Sequence, residues 1–267
     1  MRPVIILGCG FTGIRAAKLL LLRGHPVTTL VRDPAHVAAI TALGADVRTW
    51  SLAQPVLPRL ELGAYIIHSV PDIPDSELAV FRDYLKSLQP ARVLYLSTTG
   101  VYGRHETVDS STLIDPFDDK STRRVAEENF ILQGEWSSIV LRPAAIYGPG
   151  RGVHVHIRNG REPRSQSGMV SRIHVDDLAA VAVAGLLSDL TGAWPVADAM
   201  PAPSAEVATY CRELYRMPPA ASEAAEQFPI AGRRVDASDI LRRLGRELLY
   251  PDYRSGILAC LAQEHAD

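Results

Sequence analysis

Three glycines near the start of the chain stand at a spacing that suits phosphate: Gly8-Cys9-Gly10-Phe11-Thr12-Gly13. The apolar run Val4-Ile5-Ile6-Leu7 before them reads as a buried parallel strand. After them, Ile14, Ala17, Leu20 and Leu21 recur at helical spacing. Between a strand and a helix, this pattern is the dinucleotide-binding fingerprint. Gly8 makes the tight turn. Gly10, lacking a Cβ, lets the backbone approach a pyrophosphate, and Gly13 lets helix and strand pack closely. With Phe11 and Thr12 the loop presents the helix N-terminus, whose N–H groups and positive dipole end favour an anion. The competing reading of the same glycines is a plain turn between strand and helix.

The second strand, Val27–Val31, ends in Arg32-Asp33-Pro34. An acidic residue about 20 positions after the fingerprint takes the ribose 2′-hydroxyl of NAD, and Asp33 stands there. Arg32 comes first, and an arginine at this point accommodates a 2′-phosphate, which its guanidinium can grip bidentately. Asp33, followed by a proline and a helix, is equally suited to being a helix N-cap. The residues therefore favour NADP(H), with NAD retained if Asp33 faces the ribose.

These residues need a scaffold, and the chain supplies alternating strands and helices. Strands are expected at Asp46–Trp50, Ala64–Val70, Arg92–Leu96 and Ser138–Leu141. Helices are expected at Ala35–Leu43, Asp75–Leu88 and Ser121–Leu132. Later helices are expected at Asp176–Leu187, Ser204–Tyr215 and Ser238–Leu244, the last with Gly245 as its C-terminal stop. Such alternation predicts an α/β fold, a Rossmann-type doubly wound parallel sheet whose site lies at the carboxyl ends of its strands. The 267 residues are expected to form a single domain with a small C-terminal substrate lobe, drawn mainly from 149–174 and 198–267. Residues 217–226 read as a mobile loop.

A net charge of −2 gives no bias toward nucleic acid or anionic membranes. Three scattered cysteines, Cys9, Cys211 and Cys260, suit a reducing cytoplasm rather than a disulfide framework. No His/Cys cluster has metal-ligand spacing, and no run approaches the ~18 apolar residues of a membrane span. Ile6-Leu7-Gly8-Cys9 imitates a lipoprotein processing box, but the apolar run before it is too short and only Arg2 precedes it.

Four further segments carry a resemblance. Leu96-Ser97-Thr98-Thr99-Gly100-Val101-Tyr102-Gly103 follows the fifth strand, and Leu141-Arg142-Pro143-Ala144-Ala145-Ile146-Tyr147-Gly148-Pro149-Gly150 the sixth. Arg172-Ile173-His174-Val175-Asp176-Asp177-Leu178 opens a later helix. Asp236-Ala237-Ser238-Asp239, Leu244-Gly245 and Tyr250-Pro251 come near the end. In this order they resemble the extended short-chain dehydrogenase/reductases, the NAD(P)-dependent epimerase/dehydratase family. Most of that family reads G-x-x-G-x-x-G, and Leu7 stands where its first glycine would be, a departure typical of its atypical subgroup.

The resemblance implies hydride transfer assisted by a Ser/Thr, a Tyr and a Lys. The Ser/Thr position matches Thr98, which would orient a substrate hydroxyl. The Tyr-x-x-x-Lys pair is missing. Anchoring on Ala126-Glu127 puts Asp119 at the Tyr position and Arg123 at the Lys position. Arg123 could hold a ribose or phosphate, but it is always charged and cannot store a proton. Asp119 could act as a base only if burial raised its pKa. Tyr102 and Tyr147 sit in motifs where family tyrosines are structural, and His68 reads as a buried strand histidine.

By the same resemblance, Ser69, Val70, Pro71 and Ser97 line the cofactor. Thr99, Arg142 and Arg151 contact substrate. The cationic stretch Arg151–His174 reads as a flexible loop for a small anionic substrate, with a nucleotide sugar as the candidate; a merely solvated loop is the alternative. The Asp75–Leu88 and Ser121–Leu132 helices correspond to a four-helix dimer interface. Two functions stay open: an oxidoreductase or epimerase-like enzyme with non-standard catalytic residues, or a non-catalytic NADP(H)-binding redox sensor.

Overall fold

The computed structural model describes residues 1–52, 57–70, 73–163, 168–218 and 232–264. In chain order the first elements are β1 (Val4–Leu7), α1 (Phe11–Leu22), β2 (Val27–Val31), α2 (Val37–Ala42), β3 (Asp46–Thr49), β4 (Tyr65–His68), α3 (Asp75–Ser87) and β5 (Arg92–Leu96). Then come β6 (Thr107–Val108), α4 (Asp119–Leu132), β7 (Ser137–Pro143), β8 (Ala145–Tyr147), α5 (Val153–Arg158), β9 (Met169–Val170), β10 (Arg172–His174) and α6 (Val175–Leu187). The remainder is β11 (Gly192–Val196), β12 (Ala202–Pro203), α7 (Ser204–Tyr215), β13 (Arg234–Val235), α8 (Ser238–Arg243) and α9 (Tyr253–Glu264).

A seven-stranded sheet runs in the order β11-β7-β5-β4-β1-β2-β3. The chain winds from β1 outward through β2 and β3, then returns beside β1 with β4 and winds the other way. The β1/β4 junction is therefore the switch point, where ligands of doubly wound sheets bind. The pairings from β3 across to β7 are parallel. Val4, Val27, Tyr65, Arg92 and Ser137 pair in one row. Leu7, Leu30, His68, Tyr95 and Val140 consequently end level, and each functional loop leaves from the same edge. The strands are apolar on both faces because helices cover both faces: Val4, Ile5, Ile6, Leu7, Ile66, Ile67, Val93 and Leu94 are all buried.

The chain divides into two compact units. The first comprises 1–97, 123–141 and 179–193. Its core gathers Leu30, Ile66, Phe81, Leu85, Tyr95, Ile131 and Val140. The second comprises 98–122, 142–178 and 194–267, so it takes up residues after Ser97 as well as the later segments. Its core is Tyr147, Ile157, Val207, Cys211, Tyr253, Ile257 and Cys260, contributed by β8, α5, α7 and α9.

Most expected elements stand within a few residues of their predicted ends. Among the described residues β6, β8–β13, α5 and α9 were not anticipated, and three of these are instructive. β11 contains Pro195, which weakens a strand signal, yet it joins the main sheet. α5 lies inside the stretch expected to be a loop. α9 spreads its apolar residues around the helix, and Gly256 interrupts it. That glycine has a packing reason. A Cβ on it would lie 2.0 Å from the hydroxyl oxygen of Tyr147 and 2.8 Å from its ring. Overfilling a packed core costs about 1–3 kcal/mol, more than the ~1 kcal/mol that alanine gains over glycine in a helix. Gly256→Ala is expected to lower the urea midpoint of unfolding; an unchanged or higher midpoint would show that Tyr147 moves aside freely.

Candidate active site

The glycine loop sits at the switch point of the first unit. Gly8 adopts φ +82°, and a Cβ there would fall 2.9 Å from the Ser69 carbonyl and the Val70 nitrogen. Only glycine lets β1 turn this close to the end of β4. The Gly8 and Cys9 N–H groups both donate to the Leu30 carbonyl, at 3.0 and 3.4 Å. That anchors the end of β2 beside the loop. Gly13 packs as expected: its Cβ would be 3.3 Å from the Gly8 carbonyl oxygen. Around Gly10, by contrast, a Cβ would meet nothing within 4 Å. α1 starts there without a side-chain cap and without an acid in its first turn. A helix leaves its first N–H groups without partners inside it. An open space over an uncapped N-terminus fits a pyrophosphate. Cys9 is no nucleophile, since burial pushes its thiol up to about 12.

Arg32 is exposed just after β2. The Asp33 carboxylate accepts the Ala35 N–H at 2.9 Å, with Pro34 in the first turn of a short 3₁₀ helix. Asp33 is thus an N-cap. Ser69 donates its N–H to Leu7 at 2.8 Å, and Val70 is buried. Pro71 lies outside the described residues.

Along the same sheet edge lies a buried polar cluster. His68 stacks on Tyr95, ring centres 4.6 Å apart, and packs against Phe81. Its Nε2 is 3.6 Å from a carboxylate oxygen of Glu127. The other oxygen of Glu127 accepts from Arg82 Nε and a terminal nitrogen at 3.2 and 3.0 Å. Burial lowers the His68 pKa and keeps the ring neutral. Burial also opposes ionisation of Glu127, but the contacts with His68 and Arg82 outweigh it and hold the carboxyl below its ordinary value. Arg124 donates to the Tyr95 hydroxyl at 2.7 Å, and Ser97 Oγ to Glu128 at 2.5 Å. Arg123 is exposed. It borders, with His68, Tyr95, Arg124 and Glu127, a cavity of about 30 Å³, enough for a water. α4 presents arginines and carboxylates toward this edge where the family would present a tyrosine and a lysine.

In the second unit, Thr98 caps a 3₁₀ turn over Thr99–Tyr102: its Oγ accepts the Gly100 N–H at 3.1 Å. With a lone pair so engaged, the hydroxyl is oriented as a donor. Thr98 and Thr99 are half-buried. Gly103, at φ +59°, lies so close to the Asp115 carbonyl that a Cβ would be 1.8 Å from its oxygen. Arg142, expected to touch substrate, is buried and donates to the Tyr102 hydroxyl at 3.1 Å, its guanidinium 5.0 Å from the ring centre. Asp119 is exposed in the first turn of α4, so the burial that a base there requires is not met. Its neighbour Asp118 does the capping, accepting from Ser121 N–H and Oγ at 2.7 Å each.

The cationic stretch after Arg151 is not one loop. It contains α5, and its arginines serve different ends. Arg151 is exposed and shares two backbone hydrogen bonds with Gly148. Arg158 pairs with Glu264. Arg172 is buried and donates to the Val170 and Ala202 carbonyls at 2.8 Å each. Arg164 lies outside the described residues, as does most of the expected mobile loop at 217–226. His174 imitates a catalytic dyad with Cys260, Nε2 to Sγ 3.5 Å. Its Nδ1 accepts the Asp176 N–H at 3.2 Å, however. The ring proton therefore sits on Nε2, and His174 donates to the sulfur instead of activating it. Among the described residues no three His, Cys, Asp or Glu gather as a metal site, and no helix is long and apolar enough to cross a membrane.

Asp198 is a buried acid of the second unit. Both carboxyl oxygens are buried without a hydrogen-bond partner among the described residues. Burial raises its pKa to about 7, although the Met200 N–H and Arg172 pull the other way. Between the ordinary value of 3.8 and about 7, the folded chain holds a proton that the unfolded chain has lost. Stability from this group is full below the lower value and is lost as pH rises through the upper one. Asp198→Asn stays neutral throughout. Its stability relative to the parent is expected to rise between about pH 4 and about pH 7 in urea titrations; a difference that ignores pH would contradict this burial. The lowered pKa values of His68 and His154 act on both proteins alike and cancel.

A parallel sheet with an uncapped glycine loop at its switch point defines a dinucleotide-binding protein. No protein-family model matches the chain. It is 32% identical over 157 residues to a 3-diazoavenalumate denitrifying reductase of a Streptomyces species, a match that takes in 51% of this chain and 52% of that one. The chain thus spans about half the length of this curated relative. Among solved structures, a conserved protein of unknown function from Silicibacter pomeroyi has TM-score 0.81 and 29% identity, with 98% of this chain and 99% of that one covered. A protein assigned as an NAD-dependent epimerase/dehydratase from Methylobacillus flagellatus has TM-score 0.76 and 25% identity, with 99% of each chain covered. Over its whole length the chain is similar to the NAD(P)-dependent epimerase/dehydratase type of extended short-chain dehydrogenase/reductase.

Proposed function

We propose that the chain is an NADP(H)-dependent reductase of a small anionic substrate, working without the Tyr/Lys proton shuttle. The observation that carries this reading is the Thr98 hydroxyl, oriented as a hydrogen-bond donor by the Gly100 N–H. A donor of this kind suits a substrate oxygen that gains negative charge. An epimerase must instead take a proton from a substrate hydroxyl, and such a base needs a pKa near the working pH. Asp119 and Arg123 are both exposed, and a guanidinium is not a base. The reductase relative points the same way.

When bound, the nicotinamide would supply a hydride to an electrophilic carbon of the substrate. The Gly8–Gly13 loop and the start of α1 would hold the pyrophosphate. Arg32 would hold the 2′-phosphate, a role supported by Asp33 being occupied as an N-cap. Ser69, Val70 and Ser97 would flank the cofactor, and Arg123 would meet a ribose or phosphate. Thr98 would donate to the substrate oxygen, which takes its proton from water. Thr99 and Arg151 would contact the rest of the substrate, with a nucleotide sugar as one candidate. We further propose a homodimer through α3 and α4, where Val80 stands exposed on α3.

Calorimetry tests the cofactor. NADPH is expected to bind more tightly than NADH, and Arg32→Ala to remove about 10- to 100-fold of that preference, the worth of a charged hydrogen-bonded contact. Equal binding of both cofactors by the parent chain would return the reading to NAD. Binding of neither would end it.

Turnover tests the chemistry. NADPH oxidation by phenanthrenequinone, a generic hydride acceptor, should fall about 100-fold in kcat in Thr98→Val and survive in Thr98→Ser. Full activity in Thr98→Val would sink the donor role. Interconversion of UDP-glucose and UDP-galactose by the parent chain would make it an epimerase instead. Cofactor binding without any turnover would favour the non-catalytic sensor.

A further inference from the structure

We infer that Arg233 is a positioning residue for the Thr98 turn. This rests on the reading of Thr98 given above. The guanidinium of Arg233 gathers three backbone carbonyls of one loop. Nε donates to His105 at 3.2 Å, and the two terminal nitrogens donate to Thr99 and Gly103. Thr99 opens the 3₁₀ turn that Thr98 caps, and Gly103 closes it. One side chain therefore clasps both ends of the turn that aims the Thr98 hydroxyl.

The clasp has a fixed mount. The Arg233 N–H donates to Met169 at 2.6 Å, and its carbonyl accepts from Ser171 N–H and Oγ at 3.2 Å each. Ser171 Oγ in turn accepts the Val235 N–H at 2.9 Å. Gly232 runs so close to β9 that a Cβ would lie 2.0 Å from the Met169 nitrogen. The backbone at 232–235 is held against β9, Ser171 and β6, and the side chain of Arg233 reaches from there to the turn. Arginine suits the task because its planar fork presents donors in several fixed directions, whereas lysine offers a single point. Among the described residues this guanidinium meets three carbonyls and no carboxylate, so it fixes a loop and does not serve an ion pair. Two other long-range contacts act elsewhere along the turn: the Asp115 N–H on the Val101 carbonyl at 2.9 Å, and Arg142 on Tyr102. Neither holds Thr99.

The test compares the parent chain with Arg233→Ala and Arg233→Lys, by NADPH affinity, phenanthrenequinone turnover and amide hydrogen exchange. In Arg233→Ala, kcat is expected to fall about 100-fold, the scale of a 1 Å misplacement, with KM and NADPH affinity within about threefold. Exchange should rise at Gly100–His105 and stay unchanged over the glycine loop. Added guanidinium ion should restore part of kcat in Arg233→Ala and none in Thr98→Val. Arg233→Lys should keep the fold and recover less than half of the lost rate. Parent-like kcat in Arg233→Ala would overturn the inference, whatever the exchange shows. If the parent itself fails to oxidise NADPH, the proposed reductase function fails on its own. Hydrogen exchange then decides the clasp: faster exchange at the turn upholds it, and unchanged exchange overturns it.

Discussion

The close approach of β1 and β4 governs the rest of the molecule's chemistry. At Gly8 the chain must turn in a left-handed conformation with its Cα against the Ser69–Val70 backbone, where a side chain would be 2.9 Å from main-chain atoms. A neighbour made of main chain cannot swing aside as a side-chain tip could. From that contact the loop's hydrogen bonds follow. Gly8 and Cys9 turn their N–H groups onto Leu30, and α1 opens over the space at Gly10. The level register from β2 to β7 then delivers Arg32, Ser69 and Ser97 from the same edge of the sheet. The cradle for an anion is thus a by-product of two strands that diverge at a point too tight for any Cβ.

Arginine plays a second and less visible part. Arg92 donates to the Gly185 and Leu190 carbonyls and to Ser137 Oγ. Arg172 bridges Val170, Ala202 and Ser204. Arg233 holds Thr99, Gly103 and His105. In each case the guanidinium meets carbonyls in a turn, in two-residue strands or near the end of a helix, and buried carbonyls need donors. A guanidinium satisfies several at once without bringing an acceptor of its own. Burial lowers the pKa of each of these arginines, yet the group stays charged, since an arginine begins so far above neutrality.

This use of arginine explains where sequence reading succeeded and where it misled. The sheet, its helices and the glycine loop were legible because local rules produce them: apolar runs make buried strands, helical spacing makes α1, and glycine spacing makes the turn. Asp33 as an N-cap was legible for the same reason, from Pro34 next to it. The cationic stretch was not. Residue type alone does not separate an arginine that meets an anion from one that meets carbonyls. The difference lies in contacts across sequence separations such as the 134 positions between Thr99 and Arg233. α9 escaped because its apolar residues do not form a stripe, and the reason for Gly256 is a tyrosine over a hundred positions earlier. His68 was read as a buried strand histidine, but its link to Glu127 and Arg82 joins α3 and α4 to the sheet through a network that no periodicity reveals.

The same network bears on why the family's tyrosine and lysine could be lost. On α4, Glu127 and Glu128 are turned inward and held by Arg82 and Ser97. Arg124 is spent on Tyr95. The helix is therefore anchored to α3 and the sheet by its own ion pairs and hydrogen bonds, with no tyrosine or lysine at Asp119 and Arg123 needed to hold it. Thr98, in the second unit, carries a hydroxyl whose direction is set by the backbone of its own turn. A group that only donates a hydrogen bond can stabilise charge on an oxygen but cannot remove a proton from one. That asymmetry separates reduction from epimerisation more sharply than the shared fold does, because the fold is common to both reactions while proton removal is required by only one.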